Sequence, residues 1–164
     1  MTTLDDLAAR SLDDLLELYR SGRTPAIADV EGDADGRMLG VAKAGPAQAA
    51  LTWLAAQKLF PWRGKSFKAL GPERGEGINR VFGEGEGGKR WFRFETYVTR
   101  SRAGEFDALH LDYDNADNPF FIRAIKDEIR EVAPGLYLGQ AYVVLTGTAH
   151  LALYFGLQKP ARAV

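Results

Sequence analysis

The stretch KRWFRFETYVT at residues 89–99, followed by DALHLDY at 107–113, decides how the chain is read. In the first, Phe92, Phe94, Thr96 and Val98 fall on one parity and Arg93 and Glu95 on the other. In the second, Leu109, Leu111 and Tyr113 alternate with His110 and Asp112. A period of two is the signature of a strand with one buried face, because successive side chains point to opposite sides of a sheet. Between the two segments stand Ser101, Gly104 and charged residues but no helical pattern. An antiparallel connection needs only such a turn, whereas parallel strands need a long crossover.

Outward from this pair, period-two segments occur at 66–70, 78–82, 136–145 and 150–157. The chain has 18 glycines, seven of them at Gly71, Gly75, Gly77, Gly83, Gly85, Gly87 and Gly88, the placement expected of tight turns. A further hairpin is expected over 27–41, around Gly32 to Gly36. Helices are expected at three places. Ser11 is a plausible N-cap and Gly22 a stop for a helix whose greasy face is Leu12, Leu15, Leu16 and Tyr19. Pro46 opens a second, running to about Leu59 and ended by Pro61. Within 118–132, Ile122, Ile125, Ile129 and Val132 recur helically behind Asn118 and Pro119. The fold expected is mainly β with accessory helices: a lipocalin-like antiparallel barrel of about eight strands, with N-terminal helices and one helix, 119–132, across it. It forms a single domain over 1–164, with a helical part and a hairpin in 1–60 and barrel strands in 62–158. Closure also removes the sheet edges that aromatic-rich strands would otherwise expose.

Three segments resemble an uncharacterised bacterial family of similar length: LLELYRSGRTP at 15–25, WRGKSF at 62–67 and, most specifically, IRAIKDEIREVAPGLYLG at 122–139. That resemblance implies a lipocalin-like fold and supplies no catalytic residues.

Composition narrows the function classes. The 164 residues carry a net charge of −1, which does not steer the chain to nucleic acid. No apolar run approaches a membrane span. The acidic, amphipathic start is not a secretory signal, and with no cysteine there is neither a disulfide nor a thiolate site, so cytoplasm is the expected compartment. No cofactor or metal is expected. GEGEGGK at 83–89 spells part of a P-loop, but Arg90 stands where a hydroxyl is needed and a strand follows instead of a helix. Glu31, Asp33, Asp35 and Gly36 outline a calcium loop whose closing glutamate position is Ala42. Asp112, Asp114, Asp117 and Asn118 read as a turn ending in a helix cap.

The residues expected to meet a ligand are Phe92, Phe94, Leu109 and Leu111 as walls, with Tyr97, Tyr142, Tyr154 and Gln140 orienting it, since pockets combine apolar walls with a few polar groups. The partner is therefore a small apolar or amphipathic molecule, held by a carrier or sensor. The alternative is a cofactor-free lyase, isomerase or cyclase with His110, Asp112 and Tyr113 as candidate catalytic groups. If His110 and His150 both point into the barrel they could meet there, binding a metal or serving as a general base. A third reading is an interaction module with a filled core. Arg63, Gly64 and Lys65 read as a solvated basic turn, and Arg123 as the helical partner of Asp127, four residues on.

Overall fold

The computed structural model describes residues 1–43, 46, 61–83 and 85–160. The expected helix from Pro46 to Leu59, including Trp53, lies outside the described residues. Eight strands, β1 (Gly32–Val41), β2 (Trp62–Ala69), β3 (Gly75–Val81), β4 (Lys89–Arg100), β5 (Asp107–Asp112), β6 (Ile125–Ala133), β7 (Leu136–Leu145) and β8 (Thr148–Gln158), pair antiparallel in sequence order. The pairing of β8 with β1 closes the barrel, so the mainly β, lipocalin-like fold is the one the alternation predicts.

Two short helices precede it. α1 (Leu4–Ala8) is opened by a Thr3–Asp6 capping box, and α2 (Leu12–Ser21) by the Ser11 hydroxyl accepting from the Asp14 N–H and closed by Gly22, as its sequence requires. Leu7, Leu15 and Tyr19 bury against Leu136, Leu138 and Tyr154 on the outer face of β7 and β8. β7 is therefore covered on both sides, which is why LYLGQAYVVL reads almost continuously apolar. The interior holds Phe67, Phe94, Leu109, Leu111, Ile129, Leu153, Phe155 and Leu157. A 3₁₀ turn, Ile27–Val30, adds Ile27 and Val30 to the same cluster. Gly77 matters here: the Phe94 ring lies flush on it, in the space any side chain would occupy.

Several expectations are corrected. Residues 27–41 do not form a hairpin; the turn at Ile27–Val30 leads into one continuous strand. Asp35 and Asp33 of that strand pair with the guanidinium groups of Arg80 and Arg90 instead of standing at a hairpin tip. The helix at 119–132 shrinks to one turn, α3 (Phe120–Arg123), and Ile125–Ala133 is strand β6. Ile125, Asp127 and Ile129 share the inward parity, while Glu128 and Arg130 point outward. The apolar spacing 122, 125, 129 happens to suit a helix, and two buried charges hide the alternation beneath it. Asn118 does not cap α3; its amide donates to the carbonyls of Arg93 (2.8 Å) and Tyr113 (2.9 Å). Arg123 pairs with Asp114 at 2.7 Å rather than with Asp127.

Candidate functional site in the barrel interior

β2 begins with Trp62, Arg63, Gly64 and Lys65. Strict alternation would send Trp62 and Lys65, three apart, to opposite faces. The pairing with β3 slips here, from Trp62 opposite Val81 to Gly64 opposite Arg80, so Arg63 is an extra, bulged residue. Gly64, at φ +148°, sits so close to the Ala34 carbonyl that a Cβ would collide with it. The bulge restores Trp62 and Lys65 to the same, inward face. Lys65 is thus 3% exposed and part of a strand, not a solvated turn.

Side chains from three other segments converge on its ammonium. Asn79, directly opposite on β3, accepts from Lys65 Nζ at 2.9 Å, and Asp127 of β6, across the barrel, accepts through Oδ2 at 3.2 Å. The Tyr113 hydroxyl, just past β5, accepts a third bond and donates to Asp127 Oδ2 at 3.2 Å. A second bulge holds Asn79 in place. Phe92 adopts φ +64° where β4 slips against β3, and its carbonyl accepts from Asn79 Nδ2 at 3.1 Å. The same amide donates to the Tyr113 oxygen at 3.1 Å. Around the ammonium stand the rings of Trp62, Phe94, Tyr113 and Phe155, with centroids 5.1–5.4 Å away. Burial pushes the Lys65 amine down and the Asp127 carboxyl up, each opposed by attraction to the other; burial also raises the Tyr113 hydroxyl well above its usual value. Two buried polar atoms in this cluster have no hydrogen-bond partner among the described residues: Asp127 Oδ1, an acceptor, and Trp62 Nε1, a donor.

Beside Trp62 the wall is thin. Among the described residues, β1 pairs with β2 from Gly32 to Asp35 and then runs with β8 alone. A depression of about 310 Å³ lined by Asp35, Gly36, Trp62 and Arg63 opens at this seam. Larger ones, of about 440 and 460 Å³, lie outside the barrel, at the end of α2 and beside α1.

The residues expected to line the pocket divide between two faces. Phe94, Leu109, Leu111 and Tyr113 are inside, and Phe92 packs half-buried against them. Tyr97, His110, Gln140 and Tyr154 are on the outer face, where together with Glu128 they form one cross-strand row over β4 to β8. Tyr142 joins it by donating to Gln140 Oε1 at 2.7 Å, and Gln140 donates to the Tyr154 hydroxyl at 3.1 Å. Asp112 also faces outward, paired with Lys126 and accepting from Tyr97 at 3.1 Å. Burial alone would raise its carboxyl, but the Lys126 ammonium, the Asp114 N–H and Tyr97 together hold it below the usual value. His110 therefore points away from the interior, and His150, opposite Val143, takes no part in the row.

The outer row is closed over by α2 and residues 101–106. Glu128, with 0% exposure, accepts from the Tyr19 and Ser101 hydroxyls and from the Arg102 N–H and guanidinium. His110 fits as the neutral tautomer with its proton on Nε2, donating to the Arg100 carbonyl at 3.0 Å while Nδ1 accepts from Arg102 at 3.3 Å. Burial lowers its pKa, and Arg102 works in the same direction against Glu128. A depressed folded-state value gives stability that is whole above the unfolded value of about 6.5 and lost as pH falls toward the folded one. Stability should thus drop between pH 7 and pH 5 with a slope of up to about 1.4 kcal/mol per pH unit from this proton. Urea titrations at several pH values, repeated on His110→Gln, check this: the variant should show a flatter profile, and an unchanged one would refute the assignment.

No protein-family model and no curated protein matches the sequence. Among solved structures, the crystal structure of a protein from Thermomonospora curvata superposes with a TM-score of 0.57, covering 93% of this chain and 89% of that one at 16% identity. What the two share is the fold. Among the described residues no helix is long and apolar enough to cross a membrane, and no three His, Asp or Glu side chains gather as a metal site.

Proposed function

We propose that the barrel binds a small, largely apolar molecule, as a carrier or sensor would, with the Lys65–Asp127–Tyr113–Asn79 cluster holding its polar end. The observation carrying this reading is the pair of unpartnered atoms, Asp127 Oδ1 and Trp62 Nε1, buried beside a fully engaged lysine. Leaving a buried acceptor and donor unpaired costs about 1–3 kcal/mol each, so an interior meant only to pack would not keep both. A bound molecule with a polar head would satisfy them while its apolar part lies against Phe94, Phe155, Leu109 and Leu111. The seam beside Trp62 is the natural approach.

The alternative, a cofactor-free lyase, isomerase or cyclase, draws support from Lys65, Asp127 and Tyr113 meeting at one buried point with their proton affinities displaced. On that reading the acid and base are Asp127 and Tyr113, not His110 and Asp112.

Native mass spectrometry of freshly purified protein tests the binding reading. A small apolar compound released on denaturation is the expected result, accompanied by saturable changes in Trp62 and Trp91 emission with apolar probes. Protein that carries nothing and responds linearly to every probe would overturn it. Chemical change in the released compound on incubation would favour the enzyme.

A further inference from the structure

The charges and hydrogens of the interior cluster select the head group of the ligand; this inference rests on the binding reading above. The inward-facing polar residues among those described include Lys65, Asn79, Thr96, Tyr113 and Asp127, and Tyr137, whose hydroxyl donates to the Asp29 carbonyl. Only Lys65 and Asp127 carry formal charge, and they sum to zero whether the proton sits on the amine or the carboxyl. All three ammonium hydrogens of Lys65 are placed, on Asn79 Oδ1, Asp127 Oδ2 and the Tyr113 oxygen. What is left open is one acceptor, Asp127 Oδ1, and one donor, Trp62 Nε1.

We infer that the site takes neutral molecules whose polar end both donates and accepts a hydrogen bond, such as an apolar alcohol or primary amide, in preference to acids and amines. A carboxylate would bring a second anion to Asp127 with no spare cation to neutralise it, and it has no hydrogen for Oδ1. An ammonium could donate to Oδ1 but would stand beside the Lys65 cation and leave the Trp62 N–H without an acceptor. An uncompensated charge in an apolar interior is far costlier than a neutral group with its bonds made.

The test uses the intact protein and four eight-carbon probes that differ only at the head: 1-octanol, octanamide, octanoate and octylamine, titrated calorimetrically at pH 7.5. Octanol and octanamide should bind at least about tenfold more tightly than the two ions. Trp62→Phe, which keeps an aromatic ring but removes the donor, should weaken octanol binding by about tenfold or less, with an unchanged far-ultraviolet spectrum as the folding control. Octanoate or octylamine binding as well as octanol would overturn the inference while leaving the binding barrel in place. Absence of binding by all four would overturn the barrel reading itself, and this inference with it.

Discussion

Replacing Lys65 with Met should destabilise the protein by about 3–5 kcal/mol, while Lys65→Met combined with Asp127→Leu should recover most or all of that loss. Lys65 and Asp127 are 3% and 2% exposed, and they tie β2 to β6 across the interior. Removing the cation strands a carboxylate in apolar surroundings, which is far more damaging than removing both charges. The large positive coupling expected from the double-mutant cycle measures the pair rather than either residue. The pH dependence gives a second signature. Burial already raises Asp127, and without Lys65 nothing but the Tyr113 hydroxyl opposes that rise. A carboxyl whose folded pKa is raised contributes stability below its unfolded value of about 3.8 that is lost as pH climbs through the folded one. The single variant should therefore fall furthest below the wild type in neutral and alkaline buffer, and the gap should narrow toward pH 4. Urea melts at pH 4 and pH 8 read both effects. A single variant as stable as the double one at pH 8 would mean that this ion pair is not what holds the interior.

Glu128→Leu should cost a comparable amount, about 3–5 kcal/mol, for a different reason. Glu128 is the acceptor on which two separate segments end: Tyr19 from α2 at 2.9 Å, and residues 101–102 through the Arg102 N–H at 3.2 Å and the Ser101 hydroxyl. The Tyr19 hydroxyl has no exit to water, since its residue is 0% exposed. Leucine fills the volume but leaves these donors buried and unpaired. Glu128→Gln keeps one oxygen and should cost less, about 1–3 kcal/mol, because its NH₂ must face donors. Thermal melts should place the variants in the order wild type, Gln, Leu. The Leu variant should lose on the order of 10 °C, from about 2–4 °C per kcal/mol at this chain length. A Leu variant within 2 °C of wild type would show that α2 is held by its apolar face alone. Neither Glu128 nor Tyr19 enters the interior site, so affinity for apolar probes should survive in whichever variants remain folded.

Much of the architecture was legible because it rests on local patterns. The parity of Phe94, Thr96, Leu109 and Leu111, the glycine turns and the Ser11 cap each express backbone geometry that neighbouring residues satisfy among themselves, and they led to an eight-stranded antiparallel barrel. The apolar wall was legible for the same reason. The chemistry at its centre was not. Lys65 and Asp127 stand 62 residues apart, and in sequence each looks like a surface charge; burial becomes tolerable only because the closed barrel brings one to the other. Glu128 and its distant partner Tyr19 repeat the case on the outer face. These two charges, at adjacent positions, erased the alternation of β6 and left only the coincidental helical spacing of its isoleucines. Residues 97, 110, 140 and 154 are strand-borne, as their alternation implies, but parity says which residues share a face and not which face is inside. The bulge at Arg63 changes parity within three residues, so even that rule fails where the site is built. Local patterning determined the barrel, therefore, while its closure, two bulges and the buried Lys65–Asp127 pair decided what lies inside it, because a buried charge is stable only where tertiary structure supplies its partner.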